Sequence, residues 1–142
     1  MQDEWSTDFG VGCKYFSQDA VIKLAPAAGI DIPGELSLAE KLKYVQALME
    51  KDDPRAIAIF ETIGAYLAYT TVLYAQFYDI DYMMLLGRVM SGKGGDTILK
   101  VCNEILAEEY PELAKKCAVT LPDEKMRRVG QSVAAASLPK IK

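Results

Sequence analysis

The segment from Asp53 to Asp79 constrains the fold of this chain more than any other. Asp53 can accept hydrogen bonds from free helix amides, and Pro54 is at home in the first helical position. Ile57, Phe60, Ile63 or Gly64, Leu67, Thr71, Tyr74 and Phe77 then fall near one stripe. At 3.6 residues per turn the spacing predicts a helix of about seven turns that ends near Asp79. Ile59, Tyr66, Tyr69 and Val72 lie on other faces, so this helix is expected to be contacted on several sides. Gly64, Ala65 and Ala68 would let another backbone approach closely. Tyr66, Tyr69, Tyr74 and Tyr78 suit amphipathic core packing, a binding wall or a dimer contact.

Other elements must surround that helix. Ser17 caps a predicted helix over 17–25, carrying Ala20, Val21, Leu24 and Ala25 and stopped by Pro26 and Gly29. Ser37-Leu38-Ala39-Glu40 has the form of a capping box, and Leu38, Leu42, Val45 and Met49 form one apolar face up to Lys51. Beyond the long helix, the pattern predicts a helix from Asp96 to about Glu109 with Ile98, Leu99, Cys102, Ile105 and Leu106 inward. A short strand is expected over 117–121. A last helix starts at Asp123, with Met126, Val129, Val133 and Ala136 inward, and its Arg127 and Arg128 suit either a solvated face or contact with phosphoryl groups.

Composition removes several function classes. With 142 residues, 51% of them hydrophobic and 25% charged, the chain is expected to form one globular domain. A net charge of −4 gives no overall pull toward phosphate backbones, and no basic run acts locally, so direct nucleic-acid binding is not expected. There is no histidine, which removes His-based zinc sites, Ser-His-Asp triads and imidazole bases. Cys13, Cys102 and Cys117 form no C-x-x-C pair and suit reduced thiols. The start lacks the basic end of a secretory signal and no stretch reads as approaching the ~20 residues of a membrane span, so a cytoplasmic protein without membrane contact is expected.

The chemistry-bearing stretch is 81–99. An apolar run from Tyr82 to Leu86 meets Gly87, then a second cluster, Gly92, Gly94 and Gly95, before helical spacing resumes. This reads as buried strand, loop and helix, in a fold of the α/β class. Ligands of open α/β sheets bind outside the carboxyl ends of strands, where glycines let the backbone approach and a helix points free amides outward. Residues 87–95 are therefore the candidate ligand edge, although a plain strand-to-helix turn would use the same glycines. Asp8-Phe9-Gly10-Val11-Gly12 has the shape of a phosphate-binding hairpin but lacks the preceding strand, and is read as coincidence.

The order of long helix, strand ending Leu85-Leu86-Gly87-Arg88-Val89, helix opened by Gly94-Gly95, strand and terminal Ala134-Ala135-Ala136 resembles the C-terminal part of ROK-family proteins. Gly12-Cys13 followed by Ser17-Gln18-Asp19-Ala20 resembles the segment after that family's zinc motif. The family comprises sugar kinases and sugar-responsive repressors on the actin-like ATPase fold. The resemblance implies a helix-rich distal part of the C-terminal lobe, with few strands and a nucleotide bordered by Gly87, Arg88, Val89, Gly94 and Gly95. Arg88 stands where a second glycine is usual, which would block or reshape the adenine pocket. Lys14 replaces the usual glutamate, and the zinc-binding His and clustered cysteines are absent, so no zinc is expected.

The catalytic Asp and first phosphate hairpin of such kinases belong to the N-terminal lobe, so no catalytic residue is assigned here. The resemblance implies a portion of a larger two-lobed protein, not a kinase by itself. Its parent would phosphorylate a hexose with ATP and Mg, or bind an effector and dimerise as a sugar-responsive transcriptional regulator; a stand-alone interaction domain is a third reading. A sugar or nucleotide is the expected small molecule, and a homodimer the expected assembly.

Overall fold

A computed structural model describes residues 2–122, and the predicted helix from Asp123, with Arg127, Arg128 and the Ala134-Ala135-Ala136 run, lies outside them. The elements run α1 (Cys13–Phe16), α2 (Gln18–Leu24), α3 (Leu38–Met49), α4 (Pro54–Ala75), β1 (Tyr82–Met84), a 3₁₀ turn (Arg88–Met90), α5 (Gly92–Glu109), α6 (Pro111–Lys116) and β2 (Ala118–Thr120). The described residues are helix-rich, with two short strands.

Local chemistry accounts for the helix starts. Ser17 Oγ accepts from the Asp19 amide. At α3 the Ser37 side chain accepts from the Glu40 amide while Glu40 reaches back to the Ser37 amide, which completes the capping box. Asp53 accepts from the Arg55 amide ahead of Pro54 at α4. The Arg55 guanidinium, donating to that carboxylate, holds Asp53 at about 2, well below the usual aspartate value.

The core is built where α4 and α5 pack together, the most extensive contact between elements. Ala56, Ile59, Phe60, Ile63, Gly64, Leu67, Ala68 and Thr71 form the buried face of α4. Against it lie Ile98, Cys102 and Leu106 of α5. A Cβ on Gly64 would stand 2.9 Å from the Ile98 carbonyl oxygen and from Val101 Cβ, so glycine there sets the approach of the two helices. Tyr74 and Phe77, expected inward, are exposed, because the helix turns its stripe toward α5 and ends at Ala75 instead of near Asp79.

β1 and β2 are parallel, pairing Tyr82 with Ala118, Met83 with Val119 and Met84 with Thr120. A parallel pair needs a crossover connection, here supplied by α5 and α6. The strand expected to be buried is half-exposed: Leu85 and Val119 face the core, whereas Tyr82, Met84 and Leu86 lie open. Period-two side chains send alternate residues to opposite faces, and helices cover only one face among the described residues.

Two further expectations change. α5 begins at Gly92, so the second glycine cluster belongs to the helix and not to the loop before it. α4, at 22 residues with a mean hydropathy of 1.5, is long and apolar enough to cross a membrane by length and composition, although no such stretch was expected. In this fold its apolar stripe is spent on α5.

Candidate functional site

At the carboxyl ends of the parallel strands the chain turns sharply at Gly87, whose φ of 115° belongs to backbone that side chains rarely adopt. No atom lies within 4 Å of where its Cβ would be, so conformation, not crowding, demands glycine there. Arg88–Met90 then form the 3₁₀ turn, with Val89 and Met90 buried. Gln46 of α3 donates through Nε2 to the Arg88 carbonyl at 3.0 Å and fixes the turn from 42 residues away.

This turn forms one wall of an open cleft of about 510 Å³, made by residues 86–89 on one side, 16–19 on the other and Leu38 at the end of α3. That volume falls within the range of about 300–1,000 Å³ typical of small-molecule sites. Of the five residues expected to border a ligand, Gly87, Arg88 and Val89 line this cleft, whereas Gly94 and Gly95 do not. Two segments 70 residues apart are thus brought face to face.

Behind the 16–19 wall lies an ion cluster. Lys14 is almost fully buried and its ammonium reaches Asp19 at 2.8 Å, Asp3 at 3.3 Å and Glu4. Glu4 also pairs with Lys23 at 2.9 Å. Hydrogen bonds to Asp19 and then Glu4 raise the Lys14 pKa above the ordinary lysine value despite its burial. Asp3, accepting from the Ser6 amide and from Lys14, and Glu4, held by Lys14 and Lys23, both fall to about 2. Asp19 is the acid that lines the cleft, and its charge is answered by Lys14.

The Arg88 guanidinium has no hydrogen-bond or ion-pair partner among the described residues. Among the described residues it is therefore the uncompensated charge of the cleft.

Gly94 and Gly95 serve packing. A Cβ on Gly94 would sit 2.5 Å from the Phe60 ring, and one on Gly95 2.1 Å from the Met90 carbonyl oxygen. Both residues are buried, so their amides are not offered outward.

The N-terminus of α5 already holds an anion of the chain itself. Glu50 Oε1 accepts from the Lys93 amide at 3.1 Å, and Lys93 Nζ binds the Glu50 carbonyl and the Asp52 carboxylate. At Gly92, with φ of 65°, a Cβ would lie 2.7 Å from the same Glu50 oxygen. A nucleoside triphosphate brought to this helix end would meet the Glu50 carboxylate. Among the described residues no group of three His, Cys, Asp or Glu side chains is arranged to hold a metal ion.

Glu50 and Gln46 were invisible as site residues in the sequence. Gln46 sits inside α3 and Glu50 just past its end, and each acts on atoms more than 40 residues away, so no local spacing marks it. Lys14 carried a weak signal, an ammonium five residues before Asp19. No family model matches the chain, and no curated protein or solved structure matches it either.

Proposed function

We propose that this chain is the ligand-binding, C-terminal lobe of a ROK-type sugar-responsive regulator on an actin-like fold, and that its site is the cleft between residues 16–19 and 86–89. The sequence resemblance supports the family. The observation that carries the choice of regulator is Glu50, whose carboxylate takes the α5 amide that a phosphate would otherwise use. The cleft remains as an opening of ligand size beside the strand ends.

The second reading, an ATP-dependent hexose kinase, is favoured by the turn at Gly87, Arg88 and Val89, which lies where the family's adenosine motif would lie. On either reading the catalytic Asp belongs to the other lobe of the parent protein. No phosphoryl-transfer step is assigned to these residues.

Calorimetric titration of the full-length parent with a panel of hexoses and with millimolar ATP and Mg separates the two. The regulator reading expects saturable binding of a sugar or sugar derivative and no nucleotide heat. Saturable ATP binding with hexose-dependent release of ADP would overturn it in favour of the kinase.

A further inference from the structure

The ligand of the cleft carries more chemistry than its size. Three charges bear on it: Arg88 on one wall, Asp19 on the other and Lys14 behind Asp19. Lys14 holds Asp19 at 2.8 Å, and the acids farther back, Asp3 and Glu4, are bridged to Lys14 or Lys23. Arg88 alone has no partner among the described residues. An uncompensated cation beside a low-dielectric wall favours an anion, and the planar guanidinium offers a fork of donors that matches a carboxylate or a phosphate.

The backbone keeps Arg88 in place independently of its side chain. Gln46 binds its carbonyl, Gly87 supplies the preceding turn, and buried Val89 and Met90 anchor the following residues. The side chain is therefore free of structural duty while its Cα is fixed at the cleft. That is the arrangement of a residue that selects a ligand, not of one that holds the fold.

We infer that Arg88 is the specificity residue of the cleft and takes the oxyanion of an acidic small molecule, a sugar carrying a phosphate ester or a carboxylate, in preference to a neutral sugar. The inference rests on the cleft as the ligand site proposed above. Ser17, Gln18 and Asp19 on the facing wall supply the polar groups for the uncharged part of the ligand.

The test is titration of the full chain with four probes: a hexose, the same hexose as its 6-phosphate, the corresponding hexuronate, and ATP. The wild-type chain is expected to bind at least one of the two acidic sugars about tenfold to a hundredfold more tightly than the hexose, the scale of a hydrogen bond to a charged group. Arg88→Ala should bring that probe down to the affinity of the hexose, and Arg88→Lys should keep part of the preference. Because the Arg88 side chain is exposed and has no partner among the described residues, both variants should unfold at the wild-type denaturant midpoint, which serves as the folding control.

Binding of the hexose as tight as that of its acidic forms, unchanged in Arg88→Ala, would overturn the role of Arg88 and leave the cleft as the site. ATP as the one probe that binds, with loss in Arg88→Ala, would support the oxyanion contact and overturn the regulator reading. No binding of any probe at millimolar concentration would overturn both.

Discussion

A single residue, Lys14, shows how a buried charge can acquire a structural purpose. Its ammonium sits almost fully buried and draws Asp3, Glu4 and Asp19 around it. An isolated buried charge would be expensive, and three carboxylates with added amide donors remove that cost. Asp3 also receives the Trp5 and Ser6 amides on Oδ2, so the cluster orders the first loop of the chain. The pH dependence follows from the depressed acids. Asp3 and Glu4 have folded values of about 2 against ordinary values of 3.8 and 4.5. Their contribution is therefore complete above the unfolded values and is lost as pH falls through the folded ones. Lys14 has the opposite sign: with its pKa raised above the ordinary lysine value, its contribution is complete below that ordinary value and is lost as pH rises through the folded one. The amide resonances of Trp5 and Ser6 should hold their positions down to about pH 4 and move with a midpoint near 2. A midpoint near 4 for both amides would show that Asp3 does not hold them.

At the scale of elements, the glycines of α5 carry the lesson about what a sequence displays. Capped helix starts were legible because Ser17, Ser37 with Glu40, and Asp53 with Pro54 act on amides two or three residues away. The packing stripe of α4 was legible only in part, since periodicity alone does not say which face meets α5. Gly94 and Gly95 have the form of a ligand loop because spacing reveals neither the distant Phe60 ring nor the turn that brings the Met90 carbonyl against Gly95. α6 is hidden in the sequence because a proline just past Glu109 has the form of a helix stop, whereas Pro111 is the first residue of the next helix. Gly95→Ala tests the packing account. Alanine favours a helix interior over glycine by about 1 kcal/mol. Its Cβ would instead stand 2.1 Å from the Met90 carbonyl oxygen, and that backbone is anchored by two buried residues. Overpacking of this kind costs about 3 kcal/mol. The clash wins, and urea unfolding should show a net loss of about 2 kcal/mol or more. Gly34→Ala, where no atom lies within 4 Å of the new Cβ and φ is not positive, serves as the control and should lose nothing. Equal behaviour of the two variants would refute the close contact of α5 with the 3₁₀ turn.

Across the whole molecule, the three cysteines sample three depths of one structure. Cys13 is exposed in the short α1, Cys117 is buried at the entrance to β2, and Cys102 is fully buried where α5 meets α4. Burial, with a contribution from Cys117, pushes the Cys102 thiol up to about 12, and burial raises Cys117 as well. The thiolate is the reactive form, so low access and raised pKa act in the same direction. Under native conditions a neutral disulfide reagent should therefore modify Cys13 first and leave the other two to openings of the structure. Among the described residues β2 pairs only with β1, so Cys117 needs a local opening, whereas exposure of Cys102 requires α4 and α5 to separate. The expected order is Cys13, then Cys117, then Cys102, followed by mass spectrometry of the labelled peptides. In denaturing urea all three should react together. As denaturant rises from zero, the Cys102 rate should track the global unfolding constant, because the α4–α5 contact is the main body of the core. If Cys102 labels as fast as Cys13 in native buffer, the helix pair is not the packed centre described here, and the cleft built on its flank loses its scaffold.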